Sequence, residues 1–242
     1  MKKISVLMLA LVVACSLSGL ALANDSDVRQ SGEGNYSLVM QSGFGNDSDV
    51  IQNGDANSSE IRQSGYGNTS VVSQDGDGNI SSLQDGEGNS SDVVQSGDEN
   101  ESGVNQLGEG NFARVNQWGN NNRSYGDDIS VEALTQLGNN NISGVSQFGD
   151  QNLSKVIQYG DGNFYSLSQF GSGNRSELGQ HGNSNSSIVT QSGTGNISNL
   201  GQYGDSNSSI VIQTGEINSS LIRQEGDNNN AVVIQNGAGI LG

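Results

Sequence analysis

Not one proline occurs among the 242 residues. Proline deletes a backbone donor from a β-ladder, so its absence suits a sheet that runs the whole length of the chain. Cysteine occurs once, as Cys15 near the N-terminus, which excludes a disulfide framework or a cysteine metal site from the remainder. His181 is the only histidine and Trp118 the only tryptophan, and neither has a catalytic or metal-ligating partner in the sequence. Aromatic residues make up 5% and hydrophobic residues 31%, too little for a large globular core. Lys and Arg number 9 against 26 Asp and Glu, for a net charge of −17, which disfavours nucleic acid as a partner. The same self-repulsion keeps an assembly-prone chain soluble in transit. There is no nucleophile–base arrangement, phosphate loop or basic patch, so neither an enzyme nor a cofactor is expected.

What the chain has instead is a phrase, Asn-x-Ser-x-Val-x-Gln-x-Gly-x-x, that returns about every eleven residues. Clear copies are Asn35-Ser37-Val39-Gln41-Gly43, Asn68-Ser70-Val72-Gln74-Gly76 and Asn196-Ser198-Leu200-Gln202-Gly204. Internal repetition decides architecture before any local motif. Inside the phrase the period is two, which puts the fixed letters on one face of a strand. The next Asn follows the Gly by three residues, an odd step, so the chain must turn at Gly-x-x. The frequent second glycine, as in Gly34, Gly45, Gly67 and Gly78, supplies the φ freedom of that turn. Each unit is one strand and one turn, two units make a flat coil of about 22 residues, and coils stack about 4.8 Å apart. The expected fold is all-β: a β-solenoid, cross-β on assembly. Its thin core holds Val39, Val50, Ile61, Val72 and Val93.

Stacking lays like on like, so side-chain amides can bond up and down the rod. The glutamine ladder is expected at Gln30, Gln41, Gln52, Gln63, Gln74, Gln106, Gln117, Gln136, Gln147, Gln158, Gln169, Gln191, Gln213 and Gln235. The asparagine ladder is expected at Asn35, Asn46, Asn57, Asn68, Asn111, Asn152, Asn163 and Asn196. The spacing of eleven breaks twice: a one-residue deletion precedes Gln84, and eight extra residues fall between Gln117 and Gln136, around Tyr125–Val131. The extra residues read as a loop pushed out of one coil, with a hinge or a division into two stacks as alternatives. The organisation is then 1–23 secretory leader, 24–122 first repeat block, 123–135 degenerate repeat with the loop, 136–235 second block and 236–242 tail.

The leader reads from Lys2-Lys3, the apolar run Ile4 to Val13, and the small-residue cleavage site Ala21-Leu22-Ala23. The run is short for a membrane span. A cut after Ala23 starts the chain on its first repeat, Asn24-Ser26-Val28-Gln30, and takes the net charge from −17 to −19 by removing two lysines. Val12-Val13-Ala14-Cys15 offers a rival lipoprotein site with Cys15 lipidated.

The phrase closely resembles the curlin repeat of bacterial curli fibres, with its Gln-x-Gly-x-x-Asn spacing over nearly the whole chain after the leader. The resemblance implies a secreted functional amyloid that polymerises with itself on the bacterial cell surface, for biofilm matrix, adhesion and surface colonisation. By that resemblance its partners are an outer-membrane secretion pore, accessory chaperones and a nucleator subunit. Nineteen half-repeats depart from the five full repeats of the family's major subunit. Their uniformity also resembles the minor nucleator, although Ala231-Val232-Val233-Ile234-Gln235 has no counterpart to the nucleator's basic, irregular final repeat. The fibre-forming role is the expectation, with the nucleator as the alternative.

Two outward rows are candidates for more than structure. Glu33, Asp55, Asp77 and Asp98 should stack on one edge, either as a solvated acidic edge or as a divalent-cation edge. Tyr159, His181 and Tyr203 should line one face, and Phe148 and Phe170 the other, firming the sheet or marking a contact surface. A competing reading is a monomeric solenoid that binds a surface or polysaccharide, but the outward threonine row of an ice-binding face is missing.

Overall fold

The computed structural model describes residues 9–15, 23–124 and 134–238, and among them there is no helix. Strand β1 is Leu9–Cys15. The repeats follow as β2 (Asp25–Ser31), β3 (Tyr36–Phe44), β4 (Asp47–Asn53), β5 (Ser58–Tyr66), β6 (Thr69–Asp75), β7 (Ile80–Asp85), β8 (Ser90–Ser96), β9 (Glu101–Leu107) and β10 (Phe112–Trp118). The second half continues as β11 (Arg123–Ser124), β12 (Leu134–Leu137), β13 (Ile142–Phe148), β14 (Leu153–Tyr159), β15 (Phe164–Ser172), β16 (Arg175–His181), β17 (Ser186–Thr194), β18 (Ile197–Tyr203), β19 (Ser208–Glu216), β20 (Ser219–Glu225) and β21 (Asn230–Ala238).

Consecutive strands change sheet, and every second strand pairs in parallel. Sheet 1 runs β1-β3-β5-β7-β9-β11-β14-β16-β18-β20, with β12 also between β9 and β14; sheet 2 runs β2-β4-β6-β8-β10-β13-β15-β17-β19-β21. Register is set by the phrase: Ser37 lies beside Ser59, Val39 beside Ile61 and Gln41 beside Gln63. The result is a β-solenoid of about nine coils. Its fixed letters point inward: Val39, Val50, Ile61, Ser48, Gln52 and Asn57 are all essentially inaccessible to solvent. A slip of one residue would turn this whole set outward, so burial enforces the register.

The two irregularities are absorbed within strands. β7 keeps Ser81 and Leu83 in phase, beside Ser59 and Ile61, but sets Gln84 beside Arg62 and Asp85 beside Gln63. Thus the missing residue lies between the Leu and the Gln of that copy. The eight extra residues fall within a strand, not at a turn. Ser124 pairs with Ser102 and Ser154, and Leu134 with Val104 and Val156, so nine residues stand where a neighbouring strand has one, Gly103 or Lys155. That position alternates with the inward letters, so a detour there displaces none of them. β10 and β13 pair in full register past the insertion.

The expected loop at Tyr125–Val131 lies outside the described residues, as do 16–22 of the leader and 239–242 of the tail. Leu9–Cys15 pairs along β3, and Asn236, Gly237 and Ala238 extend β21 along β19.

Candidate functional site

The chemistry of this chain is repeated at every rung. In sheet 2 each glutamine Nε2 donates to Oε1 of the next: Gln30 to Gln52 at 2.7 Å, Gln52 to Gln74 at 2.8 Å, Gln74 to Gln95 at 2.9 Å, and on to Gln213 and Gln235 at 2.8 Å. The same Nε2 reaches a carbonyl of the facing sheet, as Gln52 does to Tyr36 O at 3.0 Å, which ties the sheets together. In sheet 1, Gln41 donates to Gln63 at 2.9 Å, and the row resumes with Gln106 to Gln136 at 2.8 Å. Between them stands β7, where Asp85 holds the register position of the glutamine. Gln95, Gln180, Gln202 and Gln224 belong to these rows as fully as the expected members.

The asparagines run the other way. Oδ1 of Asn35 accepts both the backbone N–H (2.9 Å) and Nδ2 (3.2 Å) of Asn57, and Asn57 Nδ2 also donates to Gly76 O at 2.7 Å. The buried amides of this row are thereby satisfied by neighbouring rungs, as burial demands, with Asn207 Nδ2 the exception.

The serines separate the sheets. In sheet 2, Ser48, Ser143, Ser187 and Ser209 meet sheet 1 glutamines, as Ser143 Oγ does Gln158 Oε1 at 2.7 Å. In sheet 1, Ser37, Ser59, Ser102, Ser154 and Ser198 have buried hydroxyls without a protein partner. Tyr165 takes a serine position in sheet 2 and is fully buried, its hydroxyl 3.0 Å from Ser176 Oγ. Burial pushes its ionisation well above the ordinary tyrosine value, and the Ser176 contact pulls back only weakly.

At the turns the first glycine is the constrained one. Gly160 has φ of +103°, and a Cβ there would sit 2.3 Å from Gly182 O of the next rung. The second turn position is ordinary left-handed backbone, held by Gly34 or Gly67 but equally by Ala56, Gln151 and Ser206. The φ demand expected of the second glycine thus falls harder on the first.

Glu33, Asp55, Asp77 and Asp98 do share an edge, one per rung. The Glu33 amide donates to Asp55 Oδ1 (2.6 Å), Asp55 to Asp77 (2.7 Å), Asp77 to Asp98 (3.0 Å) and Asp98 to Asn120 (2.8 Å). The short acceptor caps the amide below it, a role that sequence reading did not assign and that Asn139, Asp161, Asn183 and Asp205 fill on the opposite edge. Among the described residues no three His, Cys, Asp or Glu side chains gather at a spacing that could hold a metal ion.

Phe148 and Phe170 stack with Trp118 on sheet 2, at centroid separations of 4.6 and 5.0 Å and nearly parallel. Tyr159, His181 and Tyr203 stack on sheet 1 at 4.8 and 5.1 Å, with Arg223 over Tyr203. Ring faces cover ring faces within each row, so what the rows offer outward is ring edges.

Among the described residues from Asn24 on, the outermost strands are β2 and β3 at one end of the rod and β20 and β21 at the other. Gln30 and Gln41 donate into the glutamine rows and leave an Oε1 that accepts from no glutamine, while Gln224 and Gln235 accept at the far end and leave an Nε2 that donates to none. The asparagine rows have the opposite polarity. Each end is therefore the hydrogen-bonding complement of the other. A family model described as the curlin associated repeat matches residues 23–54, 54–84 and 160–193. No curated protein matches the sequence.

Proposed function

We propose that the chain is a member of the curlin family, whose associated repeat matches three of its stretches, and that it is a secreted structural subunit that self-assembles into extracellular curli-type amyloid fibres. The observation that carries the reading is the complementarity of the two ends. A heterologous contact that does not close on itself propagates as a filament. The ladders add a template: an incoming strand finds Oε1, Nε2 and Oδ1 groups at the spacing of its own phrase, which removes the nucleation cost of a first coil. Export across an outer membrane, a nucleator and a dedicated pore with chaperones come from the family resemblance. So do the biofilm, adhesive and colonising roles and a place at the bacterial cell surface. The final repeat, Ala231-Val232-Val233-Ile234-Gln235, has none of the nucleator's basic irregularity, which supports the fibre-forming role.

The test is to release the purified chain, leader removed, from denaturant and follow thioflavin fluorescence with and without preformed seeds. Seeds are expected to abolish the lag. A stable monomer that never elongates seeds would sink the fibre reading and favour a monomeric binding rod.

A further inference from the structure

The number of strands sets how one copy meets the next. Among the described residues from Asn24 on, sheet 2 has ten strands, and sheet 1 has nine once β11 and β12 are counted as one interrupted strand. If the next copy stacked in the same orientation, β2 would follow β21 and β3 would follow β20. Sheet 1 would then lack one strand at every junction, leaving the inward groups of the flanking strands without a ladder partner.

We propose that successive copies are related by a half turn about the fibre axis. β2 of the incoming copy then lies on β20, with Val28 beside Ile222 and Gln30 beside Gln224. β3 lies on β21, with Val39 beside Val233 and Gln41 beside Gln235. Both sheets stay unbroken, because the phrase has the same inward letters in each, and every junction reproduces the step from one strand to the next inside the chain. The fibre therefore shows its two outer faces alternately. Nineteen strands at two per ~4.8 Å rung give a rise of about 46 Å per copy.

This inference rests on the fibre reading, on removal of the leader and on β2 and β21 being the outermost strands of the exported chain. In fibres of the exported chain, N236C/S42C should form intermolecular disulfides, since the half turn puts those outward positions on adjacent strands. N236C/S31C should not. Helical reconstruction should give about 46 Å of rise and, sheet twist aside, half a turn per copy. Cross-linking through N236C/S31C instead, through both pairs equally or through neither would overturn the half turn while leaving the fibre intact. A chain that forms no fibres would overturn the fibre reading and the half turn with it.

A second, independent observation concerns the outer face of sheet 2. On β13 and β15 the flanking positions are large, Ile142, Phe148, Phe164 and Phe170, and the middle ones are small, Gly144, Ser146, Ser166 and Ser168; β10, at the rim of this face, keeps large flanks but has Arg114, paired with Asp92, and Asn116 between them. On β17, β19 and β21 the order reverses: Ile188, Ile210 and Ile212 stand in the middle, Ser186, Ser192 and Ser208 at the flanks. The outward positions of β13 to β21 carry no charge between strand start and turn, whereas the same face carries Asp25, Asp27, Asp47 and Asp49 at the other end.

The geometry points to a second copy of this chain as the partner, antiparallel, with the two-fold axis along the strands between β15 and β17. Phe164 then meets Ser186, Gly144 meets Ile210, Ser146 meets Ile212 and Phe170 meets Ser192. Six strands of seven residues cover about 650 Å² per copy, about 1,300 Å² in all, within the range of stable interfaces. Mild oxidation of the leader-free S146C/I212C chain should link two copies; within one copy those sites are three rungs, about 14 Å, apart, beyond disulfide reach. Adding Ile210→Lys should cut the linked fraction at least tenfold. Self-linking of I212C alone, equal linking of a S73C/I212C pair, or no linking at all would overturn the pairing.

Discussion

Asn35 Oδ1 accepts two hydrogen bonds from one residue, the backbone amide and the side-chain amide of Asn57, 22 positions on. A backbone group at a turn is thus bonded by the side chain of the coil before it. Strand pairing holds the flat parts of the coil, and Asn holds its corners. This is why the phrase needs Asn at the corner and tolerates almost anything on the outward positions.

Asn152→Ala should therefore act on its neighbour. The Asn174 amide loses its acceptor at 3.1 Å, and Asn174 Nδ2 loses the same oxygen. An orphaned buried donor costs about 1–3 kcal/mol. Hydrogen exchange at the Asn174 amide should speed up about 5- to 150-fold, with amides several rungs away unchanged. Uniform acceleration along the rod would contradict the local account.

The two turn glycines should respond differently. Gly160→Ala places a Cβ 2.3 Å from a backbone oxygen of the next coil, at φ +103°. Nothing flexible can yield there, so seeded growth should be lost. Gly173 has φ +64° and open space around the Cβ position. Gly173→Asn should cost only about 1 kcal/mol and elongate seeds normally, since Asn tolerates left-handed backbone.

Much of this was legible in the sequence because the rules involved are periodic. The inner period of two predicts which letters are buried, and the odd step from Gly to Asn predicts the turn. What stayed hidden depends on contacts between rungs. Asp55 and Asn120 look like solvated turn residues until the amide below each is seen to need an acceptor. Gly32 and Gly34 look equivalent until the carbonyl of Gly54 is placed 2.0 Å from the first one's Cβ position. Tyr165 sits at a serine position, and only the path to Ser176 across the core explains how it is accommodated.

The capping role makes a charge prediction. Asp55→Asn, Asp77→Asn and Asp98→Asn keep the Oδ1 acceptor, as Asn120 already does on that edge, and remove like charges stacked about 5 Å apart. The triple variant should assemble faster, most clearly at low ionic strength, with a difference that fades as the Debye length shrinks. The triple Asp→Ala variant loses charge and acceptor together, and its fibres should dissociate at lower denaturant. Calcium should act no differently from a monovalent salt of matched ionic strength, because each of these carboxylates already has one oxygen engaged by a backbone amide.

Tyr165 predicts a dependence on alkaline pH. Its ionisation in the folded rod is raised above the ordinary value of 10.0, chiefly by burial. A raised value means that the folded state keeps the proton while the unfolded chain begins to lose it. The contribution is therefore complete below about pH 10 and is lost as pH rises through the folded value, at up to about 1.4 kcal/mol per pH unit. Denaturant midpoints of fibre dissociation should fall above pH 10. Tyr165→Phe removes the titrating hydroxyl and leaves Ser176 without its partner, costing about 1 kcal/mol at neutral pH. Its midpoints should fall less steeply above pH 10, so the two curves converge. Parallel curves would show that Tyr165 ionises no differently in the rod than in the free chain.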